Sequence, residues 1–330
     1  MAIANQIKAL LKSHVDGDDA LFLSIAMQMA AQEAKQGHGK FAKEIRDLID
    51  EAKSTRRTND LTPIPLVKPK GELSNLLNVS YPKLRLVDMV LSANIETRLQ
   101  RLIKEHKHVQ KLRSHGLAPR KKLLLIGPPG TGKTLTASVL AGELGLPLFI
   151  VRLESLMTKY MGETAGKLRL IFDAIQQTRG VYLFDEFDSI GAQRGNTNDV
   201  GEIRRVLNSF LQMIEQDTSD SLLIAATNHS EMLDHALFRR FDDLIEYDLP
   251  EKKEIVAAFK SKLAAFKTSR ILWTKVTEAA DKLSYGDITR ACEDAIKDAI
   301  IHNKEFVSHS DLIHSIKERC LIRQKQQVNS

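Results

Sequence analysis

The sequence predicts an α/β fold: a three-layer α/β/α domain on a mostly parallel sheet, with one small helical domain before it and another after it. Three observations point there. Short apolar or β-rich runs alternate with helical segments between about residues 84 and 250, the pattern of strands joined by crossover helices. One run, KLLLI at 122–126, feeds directly into the glycine-rich GPPGTGKTLTASVLAGEL. Strand patterns are lacking beyond Glu251 and before the proline-rich TRRTNDLTPIPLVKPKGELSN.

Residues 1–55 read as a helical domain. Ile3, Ile7, Leu10 and Leu11 recur at helical spacing, Asp18 and Asp19 can cap a second helix to about Lys35, and Gly37 and Gly39 separate it from a third, Phe41 to Lys53. Pro63, Pro65, Pro69 and Pro82 make 56–83 a linker, extended in part. The α/β domain occupies 84–250, with strands expected in KLLLI, PLFIV (147–151), VYLFD (181–185), SLLIAAT (221–227) and LIEYD (244–248). Residues 251–322 read as a small helical domain, one helix running from Asp287 to His302, and 323–330 (RQKQQVNS) as a polar tail.

Composition narrows the function classes. A hydrophobic content of 43% with 27% charged residues is that of an ordinary soluble protein. No apolar run nears the ~20 residues of a membrane span. The opening MAIANQIKALLKSHVDGDD lacks the apolar core and cleavage site of a signal peptide, so the expected location is the cytoplasm. Cys292 and Cys320 alone make neither a disulfide framework nor a zinc knuckle. The net charge of +6 raises nucleic acid as a partner. Basic residues are nevertheless scattered among acids, and the densest basic piece, RSHGLAPRKK at 113–122, sits just before the glycine-rich turn. Nucleic acid is the weaker reading.

Gly127, Gly132, Lys133 and Thr134 fit G-x-x-x-x-G-K-[ST], with the required strand before and helix after. This is the P-loop NTPase pattern. Backbone N–H groups of Gly127, Pro128, Pro129, Gly130, Thr131, Gly132, Lys133, Thr134 and Leu135 (prolines excepted) can curl around phosphates at a helix N-terminus. Lys133 reaches the β- and γ-phosphates, and Thr134 ligates Mg²⁺. ATP and Mg²⁺ are therefore the expected cofactors. Downstream, the buried run VYLF ends in Asp185 and Glu186. Carboxylates there need a reason: Asp185 to hold Mg²⁺ through water, Glu186 to polarise the attacking water. Asn228 ends another buried run and can sit beside Glu186 on the same sheet edge to orient that water; its alternative is a turn residue. Arg239 and Arg240 are ordinarily read as solvated or paired with Asp242 and Asp243. The functional alternative is an arginine finger reaching a neighbouring subunit's γ-phosphate, and position alone does not decide.

Together these motifs resemble those of the AAA+ ATPases, over roughly residues 84–320. GPPGTGKT looks like Walker A, VYLFDE like Walker B with its catalytic glutamate, and AATN like sensor 1. TN…LDHALFRRFDDLIEYDLP is similar to the AAA clade's second region of homology, which implies that Arg239 and Arg240 act in trans. HGLAPRKKLLLIGPPG resembles that clade's entry into Walker A, implying that Gly116 and Leu117 line the adenine pocket opposite Val87 to Val90. KYMGET resembles the first pore loop of katanin, spastin and the ATPase that disassembles ESCRT-III. By that resemblance Lys159, Tyr160, Met161 and Gly162 grip an extended polypeptide in a ring's channel; burial of Tyr160 and Met161 in a subunit interface is the alternative. GAQRGNTNDVGEIRR is similar to the second pore loop and its helix. Two features depart from the pattern. The arginines are adjacent, as in spastin, and Tyr285 in LSYGDITRACEDA replaces a small residue, with Thr289 where clamp-loader relatives carry an arginine.

The resemblance implies ATP hydrolysis coupled to remodelling, unfolding or disassembly of protein substrates by an ATP-favoured homohexamer. The N-terminal domain would recruit a substrate or adaptor. The compact single-ATPase layout looks like a bacterial stand-alone AAA protein. Alternatives are a nucleic-acid-linked ATPase of loader or transposition type, a switch that uses ATP only to assemble, and a regulator of a separately encoded partner such as a protease. The chain carries no HExxH motif of its own.

Overall fold

The apolar runs read as strands are strands, and they meet in one sheet. The computed structural model describes residues 25–30, 40, 42–45, 47–48, 69, 71–156, 161–187, 199–228 and 238–328. The chain divides into two units, Met1–Ile64 and Pro65–Ser330. In the first, residues 25–30 and 42–45 are helical, within the segments read as second and third helices. Ile25, Ala30 and Ala42 are buried. The expected first helix lies outside the described residues.

In the second unit the strands are β1 (Leu77–Ser80), β2 (Lys122–Ile126), β3 (Leu148–Val151), β4 (Val181–Phe184), β5 (Leu222–Thr227) and β6 (Asp243–Glu246). Their order is β1-β3-β4-β5-β2-β6. All pairings are parallel except β1 with β3. Strands β4 and β5 are buried at every position, which is why they read as unbroken apolar runs. The helices Lys133–Leu144, Met161–Gln177 and Asp199–Gln216 supply crossovers. Phe172, Phe184, Phe187 and Phe210 pack between sheet and helices, with Phe184 and Phe210 rings 4.8 Å apart. Burial of each such ring contributes roughly 1.5–3 kcal/mol.

One expectation is corrected. Part of the stretch read as linker is ordered structure: Leu73–Leu76 is a short helix and Leu77–Ser80 is the edge strand β1. Strand β1 pairs antiparallel with β3 from Leu77↔Val151 to Ser80↔Leu148, and Leu76 and Leu77 join the core. LNVS is too short to show a period of its own; its partner strand makes it a strand.

The register places the chemistry. Ile126 aligns with Thr227, and Phe184 with Ala225, so β2, β4 and β5 end along one edge. Gly127, Asp185 and Asn228 leave the sheet together there.

After Pro250 come the helices Lys252–Leu263, Trp273–Ala279, Tyr285–Ile301 and His309–Val328. They share a core of Ile255, Phe259, Val276, Ile288, Ala291, Leu312 and Ile316. The last helix continues through most of the polar tail. Ser284 and Asp287 form a capping box that starts the Tyr285–Ile301 helix. Among the described residues no helix is long and apolar enough to cross a membrane.

Candidate active site

Beyond β2 the chain turns through Gly127–Gly132 into the Lys133–Leu144 helix. Its N-cap, Gly132, has φ 103° and offers no side-chain cap. The first-turn N–H groups are thus left for whatever occupies the turn, and the helix dipole favours an anion. Lys133 is 6% exposed. Its Nζ donates to the carbonyl oxygens of Gly127 (2.7 Å) and Pro128 (2.9 Å) and to Asn228 Oδ1 (2.8 Å). A buried ammonium needs acceptors, and these oxygens are among those that hold Lys133 at the mouth of the turn.

Thr134 Oγ1 donates to Asp185 Oδ2 at 2.5 Å. Hydroxyl and carboxylate oxygens side by side are the hard donors that Mg²⁺ takes beside phosphate oxygens, so these residues fit the metal. Asp185 Oδ1 also accepts from the backbone N–H of Glu186 (3.0 Å). Glu186 is exposed and has φ 50°, a left-handed conformation that is uncommon outside glycine. The turn is forced from the far side: Phe187 is buried and its N–H donates to Ala226 O of β5 at 2.9 Å.

These groups open onto a cavity of about 550 Å³, the size of a small-molecule site. Its wall includes Pro129 to Leu135, Asp185, Glu186 and Asn228, with Tyr285, Gly286, Thr289 and Arg290 from the following helices. Gly286 N–H donates to Gly130 O at 2.9 Å, so the helical segment touches the turn directly. Tyr285 donates to Glu254 Oε2 at 3.0 Å. Burial, then the Glu254 charge, push its phenol far above the ordinary range, and it remains a donor.

Asp88, Met89 and Val90 close another side. They are carried by a strap docked on the Lys133–Leu144 helix. Arg85 Nη1 donates to Gly142 O (2.8 Å) and Leu86 N to Glu143 Oε1 (3.1 Å). Leu84 O lies 2.1 Å from where a Cβ on Gly142 would stand. Gly142 and Glu143 were not singled out in the sequence, because their partners lie 57 residues away.

The remaining candidates are placed as follows. Val87 is 88% exposed and Leu117 58% exposed; neither they nor Gly116 line the cavity. Arg239 is exposed, and Arg240 Nε bonds Glu215 Oε2 at 3.2 Å. Asp242 accepts from the Lys121 and Lys122 amides, and Asp243 bonds Arg98 and Arg120. Lys159 and Tyr160 lie outside the described residues, as do positions 191–198 of the second expected pore-loop segment. Met161 and Gly162 open the Met161–Gln177 helix.

Residues 123–249 match the family described as "ATPase family associated with various cellular activities (AAA)". The chain is 34% identical over 328 residues to the "Uncharacterized AAA family ATPase y4kL" of Sinorhizobium fredii, covering 99% of this chain and 98% of that one. The chain belongs to the AAA ATPase family. ATP hydrolysis is its activity. This AAA ATPase is also 35% identical over 211 residues to the proteasome-activating nucleotidase of Sulfurisphaera tokodaii, 62% of this chain and 54% of that one. It is 32% identical over 196 residues to the "ATP-dependent zinc metalloprotease FtsH 3" of Sphaerobacter thermophilus, 58% of this chain and 40% of that one. It thus spans only about half, or less, of those two relatives. The crystal structure of the FIGL-1 AAA domain superposes with a TM-score of 0.60 over 77% of this chain and 91% of that one, at 23% identity, which bears on the fold alone.

Proposed function

We propose that this AAA ATPase is the subunit of an ATP-favoured homohexamer, working in the cytoplasm, that remodels, unfolds or disassembles protein substrates. One observation carries the active-site assignment: Lys133 bonded to Asn228, and Thr134 bonded to Asp185, on one sheet edge. In this reading Lys133 exchanges its loop acceptors for β- and γ-phosphate oxygens. Glu186 takes the proton of the attacking water and Asn228 orients that water. Mg²⁺, when bound by Thr134 and Asp185, supplies charge neutralisation at the transferring phosphoryl group. Arg239 and Arg240, which stand clear of their own cavity, serve the site of the next subunit. Lys159 to Gly162 grip the polypeptide, and residues 1–55 recruit substrate or adaptor, tethered to an ATPase domain and its 251–322 lid.

A second reading is favoured by the relatives named as proteasome-activating nucleotidases: the ring serves a separately encoded protease. Both readings need the pore-loop grip. Tyr160→Ala tests it. The ratio of protein-stimulated to basal ATPase falls toward one, while sedimentation still finds the ring. If basal ATPase and assembly fall together, Tyr160 is interface core. If stimulation and remodelling are intact, the threading reading is wrong.

A further inference from the structure

Tyr247 follows β6 and runs beside the start of the phosphate turn, 2% exposed. Its N–H donates to Ile126 O at 2.7 Å. Its carbonyl oxygen lies 2.2 Å from where a Cβ on Gly127 would stand, and Gly127 has φ 150°. The first residue of the turn is therefore pressed against the Tyr247 backbone with no room for a side chain.

The Tyr247 side chain reaches the other end of the turn. Its hydroxyl is 2.6 Å from Thr136 Oγ1, and Thr136 is fully buried. Thr136 Oγ1 donates to Gly132 O at 3.0 Å, and Thr136 N donates to the same oxygen at 2.9 Å. A hydroxyl has one hydrogen. That of Thr136 is used on Gly132, so Tyr247 is the donor to Thr136. Burial pushes the Tyr247 phenol up to about 12, and the donor hydrogen persists at working pH. Threonines in helices often bond back to the carbonyl four residues earlier. Here that common bond is extended by a second hydroxyl into a buried relay ending on the carbonyl before Lys133.

We propose that Tyr247 is a positioning residue for ATP binding: its backbone holds Gly127 and its hydroxyl, through Thr136, holds Gly132, so both ends of the phosphate turn are set before the nucleotide arrives. A turn already ordered loses less conformational entropy on binding. The inference rests on Gly127–Thr134 being the ATP site. The competing account is a satisfied buried pair that only ties β6 to the helix.

The test uses the full chain, a fluorescent ATP analogue for affinity and steady-state ATPase for KM and kcat. Tyr247→Phe removes one oxygen and keeps the ring. Its Kd and KM rise by about 3–10-fold, the effect of one hydrogen bond, and kcat moves by less than KM. Thr136→Val gives the same shift, the double variant gives no more than either single, and Thr136→Ser restores affinity. A lowered Tm with unmoved Kd would make the pair structural only and overturn the inference. So would additive single effects, or a fall in kcat at constant KM. Lys133→Ala separates the two levels. If it binds the analogue as wild type does, the ATP-site assignment fails and this inference with it. If it loses binding while Tyr247→Phe is unaffected, this inference alone fails.

Discussion

Gly142→Ala is a change that helix propensity and the structure judge with opposite signs. Gly142 lies inside the Lys133–Leu144 helix, where alanine is favoured over glycine by about 1 kcal/mol. In this fold the new Cβ would stand 2.1 Å from Leu84 O, 3.1 Å from Leu84 C and 3.2 Å from Leu84 N. All three are backbone atoms and cannot rotate away. The strap must back off by about an ångström, and overpacking of this kind costs about 1–3 kcal/mol. The bonds from Arg85 to Gly142 O and from Leu86 to Glu143 stretch with it, each contributing about 1 kcal/mol. These losses exceed the propensity gain, leaving a net destabilisation of about 2–4 kcal/mol if both bonds are lost. For a domain of this size that lowers Tm by about 4–16 °C. The same movement displaces Asp88, Met89 and Val90 from the cavity wall, so ATP affinity falls as well. Thermal denaturation by circular dichroism, without nucleotide and at matched concentration, reads the first effect. Titration with a fluorescent ATP analogue reads the second. A Tm equal to or above wild type would refute the docking argument.

Three further outcomes follow from particular contacts. Lys133→Ala loses nucleotide affinity by at least tenfold in an equilibrium titration, because a charge-assisted partner of the phosphates is removed; unchanged affinity would contradict its role. Mixing a subunit carrying Arg239→Ala and Arg240→Ala with a Lys133→Ala subunit recovers part of the hydrolysis each lacks alone, since an intact finger can then face an intact site; no recovery would count against action across a subunit boundary. Cys292 is buried and burial pushes its thiol up to about 12, while burial, then Asp287, also raise Cys320. Native protein at pH 8 therefore reacts slowly with a thiol reagent and unfolded protein rapidly, and fast stoichiometric labelling of Cys292 in the native state would contradict its burial.

Much of the site was legible because the pattern is local. A strand, a glycine-rich turn and a helix follow one another within a short stretch, and carboxylates closing a buried run stand out against it. The rule that parallel strands end on one edge puts Asn228 beside the turn, where it accepts a bond from Lys133; its orienting of water is part of the proposal. What escaped was long-range. Strand β1 exists by virtue of β3, and four mixed residues carry no period. Gly142 looks like an unfavourable helix residue until Leu84 is placed on it. Thr136 and Tyr247 lie 111 residues apart, and nothing near either marks the other. Gly116 and Leu117 were assigned from the family's entry into the turn rather than from any property of the pair, and they stand outside the cavity wall. The adjacent arginines stay undivided by sequence; the fold distinguishes them by pairing Arg240 with Glu215.

Glu186→Gln measured in one preparation for both ATP binding and hydrolysis tests the central claim most directly. The amide keeps size and polarity at the exposed turn after Asp185 but cannot take a proton from water. ATP affinity should stay within about threefold of wild type, and kcat should fall by about 10²–10⁴-fold, the range of a general base. Hydrolysis at the wild-type rate, or loss of binding equal to that of Lys133→Ala, would contradict the account.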